Sequence, residues 1–284
     1  MSRTVIVSLG LIISLGLLNY LIWQPVVQAD PTSLKVNFLD VGQGDAILIQ
    51  LPTGEDILVD GGPDDTVLTV LGQILPIWDR ELDLVVATHL DADHITGLVS
   101  VLQNYQVGEV LTPAFDSDTA IAKTWGQVMT KAKKINYADA TDDYVWGDVT
   151  WDTLWPLPDA DFSQDSDNAN STIANLIYKQ HTVLLTADAD ANVEDNLLAL
   201  YPGLRAEILK VGHHGSKYSS AQTFLQNIHP SIAVISVGKN SYGHPAIETL
   251  ERLALVGVQV YRTDQNGTIK LILSGELTQI ITDG

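Results

Sequence analysis

The pattern of apolar and polar positions along the chain predicts an alternation of short strands and amphipathic helices. Short runs rich in β-branched residues, separated by turn residues, are typical of strands, and apolar residues three and four positions apart are typical of helices. The predicted strands are 36–41, 46–50, 57–59, 84–87, 110–112, 172–178, 182–186, 208–211, 232–237, 259–262 and 268–273, and the predicted helices are 67–78, 95–105, 120–134, 193–200, 221–228 and 247–256. This order predicts two βα halves packed sheet on sheet with helices outside. Asn266-Gly267 predicts a hairpin between the last two strands.

The first 29 residues differ from the rest of the chain. Residues 5–23 carry no charge, follow a basic start and precede Val27-Gln28-Ala29. This pattern predicts either a secretory signal peptide cleaved before Asp30 or, because the apolar run is long, an uncleaved membrane anchor. We therefore expect an exported protein, secreted or periplasmic, in which residues 30–284 form a single domain.

Composition restricts the chemistry of the chain. It has 284 residues, a formal net charge of −20 and no cysteine, so that a metal ion must use His, Asp or Glu as ligands. The negative charge disfavours stable binding of nucleic acids. Nine aspartates lie between Asp139 and Asp167. They lack the glycine and the terminal glutamate of a calcium loop, and we interpret this stretch as a solvated acidic loop.

The most informative motif is His89-Leu90-Asp91-Ala92-Asp93-His94, between a predicted strand and a predicted helix. Two imidazoles and two carboxylates in one turn are costly to desolvate unless a positive charge lies among them, and a metal ion provides one. The alternative is that Asp91 or Asp93 caps the helix. A cap, however, does not require two histidines.

Three further segments place polar residues directly after predicted strands. They are Thr186-Ala187-Asp188, Gly212-His213-His214-Gly215-Ser216 and Gly243-His244-Pro245. Loops that follow parallel strands meet at one edge of a sheet and commonly form sites there. His181, in a predicted turn, and His229, before a proline, are interpreted as structural.

Together with Asp40-Val41-Gly42-Gln43-Gly44-Asp45, Asp60-Gly61-Gly62 and Asn240-Ser241-Tyr242-Gly243-His244-Pro245, these motifs resemble the metallo-β-lactamase fold, in particular the C-terminal domain of ComEC-type competence proteins. The resemblance implies an α/β fold, an αββα sandwich with two divalent metal ions, Zn or Mn. It implies that His89 and Asp91 bind the first ion, with water or Asn170 completing it. Asp93 and His94 would bind the second, with Asp188 bridging both. One of the pair His213 and His214 would complete the second ion; we favour His214 as the ligand and His213 as its neighbour, although the spacing is compatible with either.

The same resemblance implies a metal-dependent hydrolase, and we expect a phosphodiesterase or nuclease acting on a small phosphodiester or on single-stranded DNA. His244 would contact the substrate or the oxyanion, or donate a proton to the leaving group. Asp60 would orient a ligand histidine. The alternatives are a hydrolase of carboxylic esters, lactones or lactams, and a non-catalytic metal-binding surface domain.

Overall fold

The computed structural model describes residues 32–114, 117–158 and 167–284, with the side chain of residue 167 excepted. The strands are β1 (Leu34–Phe38), β2 (Ile47–Gln50), β3 (Asp56–Val59), β4 (Glu81–Val86), β5 (Gln106–Thr112), β6 (Lys134–Tyr137), β7 (Tyr144–Trp146), β8 (Val149–Trp155), β9 (Ile173–Tyr178), β10 (His181–Leu185), β11 (Ile208–Lys210), β12 (Ile232–Ile235), β13 (Gln259–Arg262), β14 (Ile269–Ser274) and β15 (Leu277–Thr282). The helices are α1 (Thr66–Ile74), α2 (Ala92–Asn104), α3 (Ala120–Val128), α4 (Ala191–Leu200), α5 (Gln222–Ile228), α6 (Ile247–Leu255) and the short α7 (Thr263–Asn266).

The strands form two sheets. The first has eight strands in the order β15-β14-β1-β2-β3-β4-β5-β6, and the second has seven in the order β13-β12-β11-β10-β9-β8-β7. In the first sheet β1 is antiparallel to β2 and β2 is antiparallel to β3, whereas β3 to β6 are parallel. In the second sheet β10 to β13 are parallel. Both sheets therefore align the ends of several parallel strands at one edge.

Three apolar cores define the layers. The central core lies between the sheets and takes side chains from both, such as Phe38 of the first sheet and Trp151 of the second. A second core joins the outer face of the first sheet to α1, α2 and α3, and a third joins the outer face of the second sheet to α4, α5 and α6. The structure thus confirms the predicted αββα sandwich.

The predicted hairpin at Asn266-Gly267 is wrong. β13 pairs with β12 in the second sheet, whereas β14 pairs with β1 in the first, so this segment carries the chain from one sheet to the other. The hydroxyl of Thr263 accepts from Val237 N–H at 2.8 Å and donates to the Val237 carbonyl at 2.8 Å, which anchors α7 to the second sheet. In this last part of the chain, the hairpin instead joins β14 to β15.

Two helices end four or more residues before their predicted limits, and four strands, β6, β7, β8 and β15, were not predicted. α1 ends at Ile74, two residues before Pro76, and α3 ends at Val128, because Lys134 begins β6 at the sheet edge. Part of the acidic stretch forms β7 and β8, which pair with each other and with β9. The final strand, β15, was also missed. Its alternating burial describes an edge strand with one face on the core.

Asp56, at the start of β3, should make stability depend on pH. Burial, together with the carboxylates of Asp79 and Asp83, raises its pKa from 3.8 to about 6. Since the folded state holds this proton more tightly than the unfolded state, the stabilising contribution is present below pH 3.8 and is lost as the pH rises through about 6. Asp56→Asn should therefore raise the free energy of unfolding at pH 8 by about 1–2 kcal/mol, with no gain at pH 3.5. Urea unfolding at both pH values measures this difference.

The exposed Asp195 of α4 provides the control, since Asp195→Asn should change stability little at either pH. An equal gain from Asp56→Asn at pH 3.5 and pH 8 would contradict the assignment to Asp56 ionisation.

Within the described ranges, no helix is both long and apolar enough to cross a membrane. The predicted signal peptide or anchor, residues 1–29 with its apolar run 5–23, lies outside those ranges.

Candidate metal centre

The predicted site residues lie at one edge of the sandwich, where parallel strands of both sheets end. From the first sheet, Asp60 follows β3 and the segment from His89 to His94 follows β4. From the second sheet, Asp188 follows β10 and the His213-His214 pair follows β11. The site therefore forms between the sheets, from residues far apart in sequence.

Helix α2 begins three residues earlier than predicted, so that Asp93 and His94 lie in its first turn and not in the preceding loop. Asp91 occupies the N-cap position but makes no capping hydrogen bond with its side chain. Asp91 therefore does not act as the helix cap that the alternative interpretation required.

Two glycines allow loops to pack directly on this helix turn. A Cβ on Gly44 would lie 2.2 Å from the Asp93 carbonyl oxygen, and one on Gly61 would lie 2.5 Å from the Leu98 nitrogen. Gly61 N–H also donates to the His94 carbonyl at 2.7 Å. The first turn of α2 is thus held against both glycine-containing loops, which fixes the position of His94.

Each buried histidine has its Nδ1 fixed by a neighbouring oxygen. His94 Nδ1 lies 2.8 Å from the Asp60 carboxylate, and His214 Nδ1 lies 2.9 Å from the Ser236 carbonyl. His89 Nδ1 lies 3.0 Å from the hydroxyl of Thr88, which itself donates to Asp60 at 2.7 Å. Because these oxygens accept the Nδ1 protons, each ring carries its lone pair on Nε2 when it is neutral.

The three Nε2 atoms converge on Asp188. His94 Nε2 lies 3.5 Å from Asp188 Oδ1, while His214 Nε2 and His89 Nε2 lie 3.6 and 3.9 Å from Oδ2. Asp93 Oδ2 lies 3.3 Å from His214 Nε2, and Asp91 Oδ2 lies 3.7 Å from His89 Nε2. Asp188 is therefore shared between a His89–Asp91 side and an Asp93–His214 side.

This donor set fits divalent metal ions. The three Nε2 atoms and Asp188 Oδ1 are buried without a hydrogen-bond partner, which is costly unless a cation accepts their lone pairs. Ligand atoms of His89, His94 and Asp188 lie within 4.8 Å of one another, as do those of Asp93, His94 and His214. Mixed imidazole and carboxylate ligands suit zinc, iron and manganese.

Lys210, which the sequence analysis did not single out, lies beneath this cluster. Its side chain is only 1% exposed, and its Nζ contacts the Asp45 carboxylate, donates to the Ala187 carbonyl at 2.7 Å and lies 3.8 Å from Asp188 Oδ1. Burial alone lowers the pKa of Lys210, but the carboxylates of Asp45 and Asp188 outweigh it and raise that pKa. Lys210 is therefore a permanent positive charge of the site.

The remaining charges show that the cluster favours cations. Burial lowers the pKa of His94 and of His214, but the surrounding carboxylates, Asp188 above all, outweigh it: they raise the pKa of His94 well above 6.5 and that of His214 to about 10. Burial, aided by neighbouring His94, lowers the pKa of His89 to about 3. Without another cation, two histidines must hold extra protons to balance the carboxylates. A metal ion replaces such protons.

His213 and His244 lie at the outer side of the cluster. His213 is 32% exposed, and its Nε2 lies 3.7 Å from Asp188 Oδ2. Its Nδ1 lies 3.4 Å from the Asn168 amide nitrogen, and its ring is 5.4 Å from the His244 ring in an edge-to-face arrangement. Burial lowers the pKa of both histidines, which are therefore neutral at pH 7.

The other histidines lie away from the cluster. His181 begins β10, at the end of the strand opposite to Asp188, and contacts Glu207 and the Gly275 carbonyl. The sequence analysis placed His181 in a turn, and this prediction is wrong. His229 ends α5 in a left-handed conformation. Asn170 is buried in the 3₁₀ turn Asp167–Asn170.

Comparison with known proteins identifies relatives of the chain. Residues 39–239 match the family model of the metallo-beta-lactamase superfamily. The chain is 30% identical to ComE operon protein 3 of Bacillus subtilis over 83% of this chain and 32% of that protein. It is also 30% identical to Recombination protein 2 of Haemophilus influenzae (86% of this chain, 29% of that protein) and 28% identical to Competence protein ComA of Neisseria gonorrhoeae (83% and 32%). The chain thus spans about a third of each of these relatives.

Solved structures share the fold at low sequence identity. The metallo-beta-lactamase fold protein YhfI of Bacillus subtilis matches with a TM-score of 0.58 and 15% identity, over 84% of this chain and 99% of that one. The diiron beta-hydroxylase CmlA of Streptomyces venezuelae matches with a TM-score of 0.55 and 15% identity, over 85% and 54%. At this identity the matches establish the fold alone.

Proposed function

The chain belongs to the metallo-beta-lactamase superfamily, and from that premise we propose that it is a metal-dependent hydrolase of phosphodiesters, a phosphodiesterase or nuclease. One observation carries the proposal: three buried Nε2 atoms without partners converge on a single buried carboxylate, Asp188, with one further aspartate on each side. This arrangement provides ligands for two cations that share Asp188. Paired divalent ions suit phosphoryl transfer, because they clamp both the attacking and the leaving oxygen.

We assign the ligands in two groups that meet at Asp188. His89 and Asp91 hold one ion, and Asp93, His94 and His214 hold the other, with Zn or Mn as the metals. When bound, such ions lower the pKa of a coordinated water towards neutrality and stabilise negative charge on the phosphate. Asp60 keeps His94 oriented directly and His89 through Thr88, so that both present Nε2 to the site.

His213 and His244 are the proposed substrate contacts. The Asn168 amide N–H donates to His213 Nδ1, which places the ring proton of His213 on Nε2, on the side of Asp188. As neutral imidazoles at pH 7, both rings act as hydrogen-bond donors to phosphate oxygens rather than as positive charges. His244 is held in place through its backbone, since its N–H and its carbonyl both bond to the Asn240 side chain.

The charge of the chain restricts the substrate more than the reaction. A net charge of −20 repels long polyanions. A small phosphodiester at the site is influenced mainly by the nearby positive charges of the metal ions and Lys210. A small phosphodiester or a short single-stranded segment is therefore the preferred substrate. The proposal includes export through residues 1–29, either as a secreted or periplasmic protein or with residues 5–23 as a membrane anchor.

A substrate panel tests the reaction class. The purified full chain, loaded with Mn²⁺ or Zn²⁺, is offered bis-p-nitrophenyl phosphate, single-stranded DNA, a phosphorylcholine ester and nitrocefin side by side. We expect turnover of the phosphodiesters to exceed that of the lactam by at least about 100-fold in kcat/KM, a difference in transition-state stabilisation of about 2.7 kcal/mol. A chelator should stop the reaction, and re-addition of metal should restore it.

Two outcomes would reject the proposal. Preferential opening of nitrocefin would favour a hydrolase of lactams or carboxylic esters. Bound metal with no turnover of any substrate would favour a non-catalytic metal-binding domain.

A further inference from the structure

A cavity beside the metal centre is a candidate for substrate recognition. It has a volume of about 590 Å³ and opens next to Asp93. Its lining residues are Gln43, Pro63, Ala92, Asp93, Lys239, Asn240, Ser241 and Tyr242. We call it the Tyr242 pocket. Its volume falls within the range of about 300–1,000 Å³ that is usual for small-molecule sites.

The loops that form the pocket are packed against each other. A Cβ on Gly238 would lie 2.3 Å from the carbonyl carbon of Gly42, so that only glycine allows this approach. Gly238 N–H also donates to the Gln43 side chain at 3.3 Å. The loop after β12 is therefore held directly against the loop after β1.

Asn240 fixes the part of the loop that carries Tyr242. Its Oδ1 accepts hydrogen bonds from the backbone N–H groups of Tyr242, Gly243 and His244 at 3.0–3.1 Å, and its Nδ2 donates to the carbonyls of Gly238 and His244. Tyr242 is consequently exposed on a loop that its neighbours hold in one conformation. A ligand that binds it does not have to order the loop first.

The chemistry of the pocket combines an aromatic face with a positive charge. The Tyr242 side chain is 75% exposed, and its ring centroid lies 5.8 Å from that of His244, a proposed substrate contact. Lys239 is exposed at the same pocket. An exposed aromatic ring and a lysine at one pocket are the combination that binds a nucleobase and its phosphate.

We propose that the Tyr242 pocket binds the nucleoside on one side of the scissile phosphate. Its base stacks on Tyr242, and Lys239 contacts a phosphate oxygen. This inference rests on the proposed function and specifies its substrate class as nucleotidyl phosphodiesters, in preference to alkyl or choline diesters. Because stacking uses the face of any base, the pocket distinguishes a nucleoside from an alkyl group but does not select one base.

A kinetic comparison tests the preference. Thymidine 5′-(p-nitrophenyl phosphate) and methyl p-nitrophenyl phosphate have the same leaving group and differ only in the nucleoside. For the unaltered full chain we expect kcat/KM to be about 10-fold higher for the thymidine ester. The ratio should fall towards 1 in Tyr242→Ala, through KM, and should be retained in Tyr242→Phe, which keeps the aromatic face.

Tyr218→Ala provides the matched control. Tyr218 is also exposed, and the Lys217 ammonium lies 5.0 Å from its ring centroid, but it does not line the Tyr242 pocket. This variant should keep the full preference for the thymidine ester. Retention of the preference in Tyr242→Ala would overturn the assignment, and so would its loss in Tyr218→Ala.

Direct binding separates this proposal from the proposed reaction. Thymidine 5′-monophosphate and 2-deoxyribose 5-phosphate, which lacks only the base, are titrated into the protein by calorimetry with Zn²⁺ present. We expect about 10-fold tighter binding of the thymidine compound, lost in Tyr242→Ala, and weaker binding of both compounds in Lys239→Gln. Equal affinities, or no binding of either compound, would overturn the nucleoside site. Tighter nucleotide binding without hydrolysis of any diester would overturn the phosphodiesterase and leave the pocket as a nucleotide site.

Discussion

Replacing Asp93 and His94 together by alanine should lower metal-dependent turnover at least about 1,000-fold, which corresponds to about 4 kcal/mol of lost transition-state stabilisation. The double variant removes the carboxylate 3.3 Å from His214 Nε2 and the imidazole nitrogen 3.5 Å from Asp188 Oδ1. Of the proposed ligands on that side, only His214 and the shared Asp188 remain. Bound metal, measured by elemental analysis after dialysis, should fall by about one ion per chain.

His229→Ala is the control for this experiment, because His229 ends α5 with its ring bonded to the Asn227 carbonyl, outside the cluster. It should leave turnover and metal content unchanged. Circular dichroism should show that the double variant is folded, since removal of His94 also deprives Asp60 of its 2.8 Å contact. Undiminished turnover in a folded double variant would end the hydrolase proposal.

Lys210→Met should cause the largest loss of stability, about 3–5 kcal/mol in the free energy of unfolding of the metal-free protein. Methionine preserves most of the side-chain volume but removes the ammonium that contacts the buried Asp45 carboxylate. Asp45 Oδ1 already lacks a hydrogen-bond partner, so the variant leaves a buried carboxylate with the more distant His94 and His214 rings, at 3.9 and 3.5 Å, in place of a directly bonded ammonium. Guanidinium unfolding in the presence of a chelator measures the loss.

A double-mutant cycle separates the loss of charge pairing from the loss of packing. If the unpaired carboxylate is the cause, Lys210→Met combined with Asp45→Asn should recover most of the stability that Lys210→Met loses. Lys217→Met, at an exposed lysine seven residues further along the chain, should cost little. A loss of less than about 1 kcal/mol in Lys210→Met would show that the buried pair contributes little.

The sequence was sufficient to predict the αββα layers and the residues that gather at the site edge, because strand and helix periodicities are local and the motifs follow directly after strands. It could not show that Asp60 orients His94 directly and His89 through Thr88, which depends on hydrogen bonds across two strands. Nor did any local pattern distinguish Lys210 from a surface lysine. Its partner Asp45 lies 165 positions away, and only the assembled sandwich brings the two together.

The predicted hairpin failed for a related reason. Asn266-Gly267 between two apolar runs has the local chemistry of a hairpin, but β14 is paired with β1, which begins at Leu34. The choice between neighbouring β13 and distant β1 depends on which sheet still has a free edge. Thr263, bonded to Val237, keeps β13 in the second sheet and leaves β14 to the first. Turn chemistry in the sequence does not contain that information.

The direction of β1 places the first residues of the domain at the end of the sheet opposite to the metal-binding cluster. Since β1 and β3 both run antiparallel to β2, they point the same way, and Leu34 lies at the end of the sheet away from Asp60. A five-residue strand extends over roughly 17 Å. Thr32 is held at that far end, where its carbonyl accepts a hydrogen bond from the Tyr178 hydroxyl. The segment that precedes the domain therefore joins it at the end of the sheet opposite to the proposed metal centre, and a tag or tether attached there leaves the centre accessible.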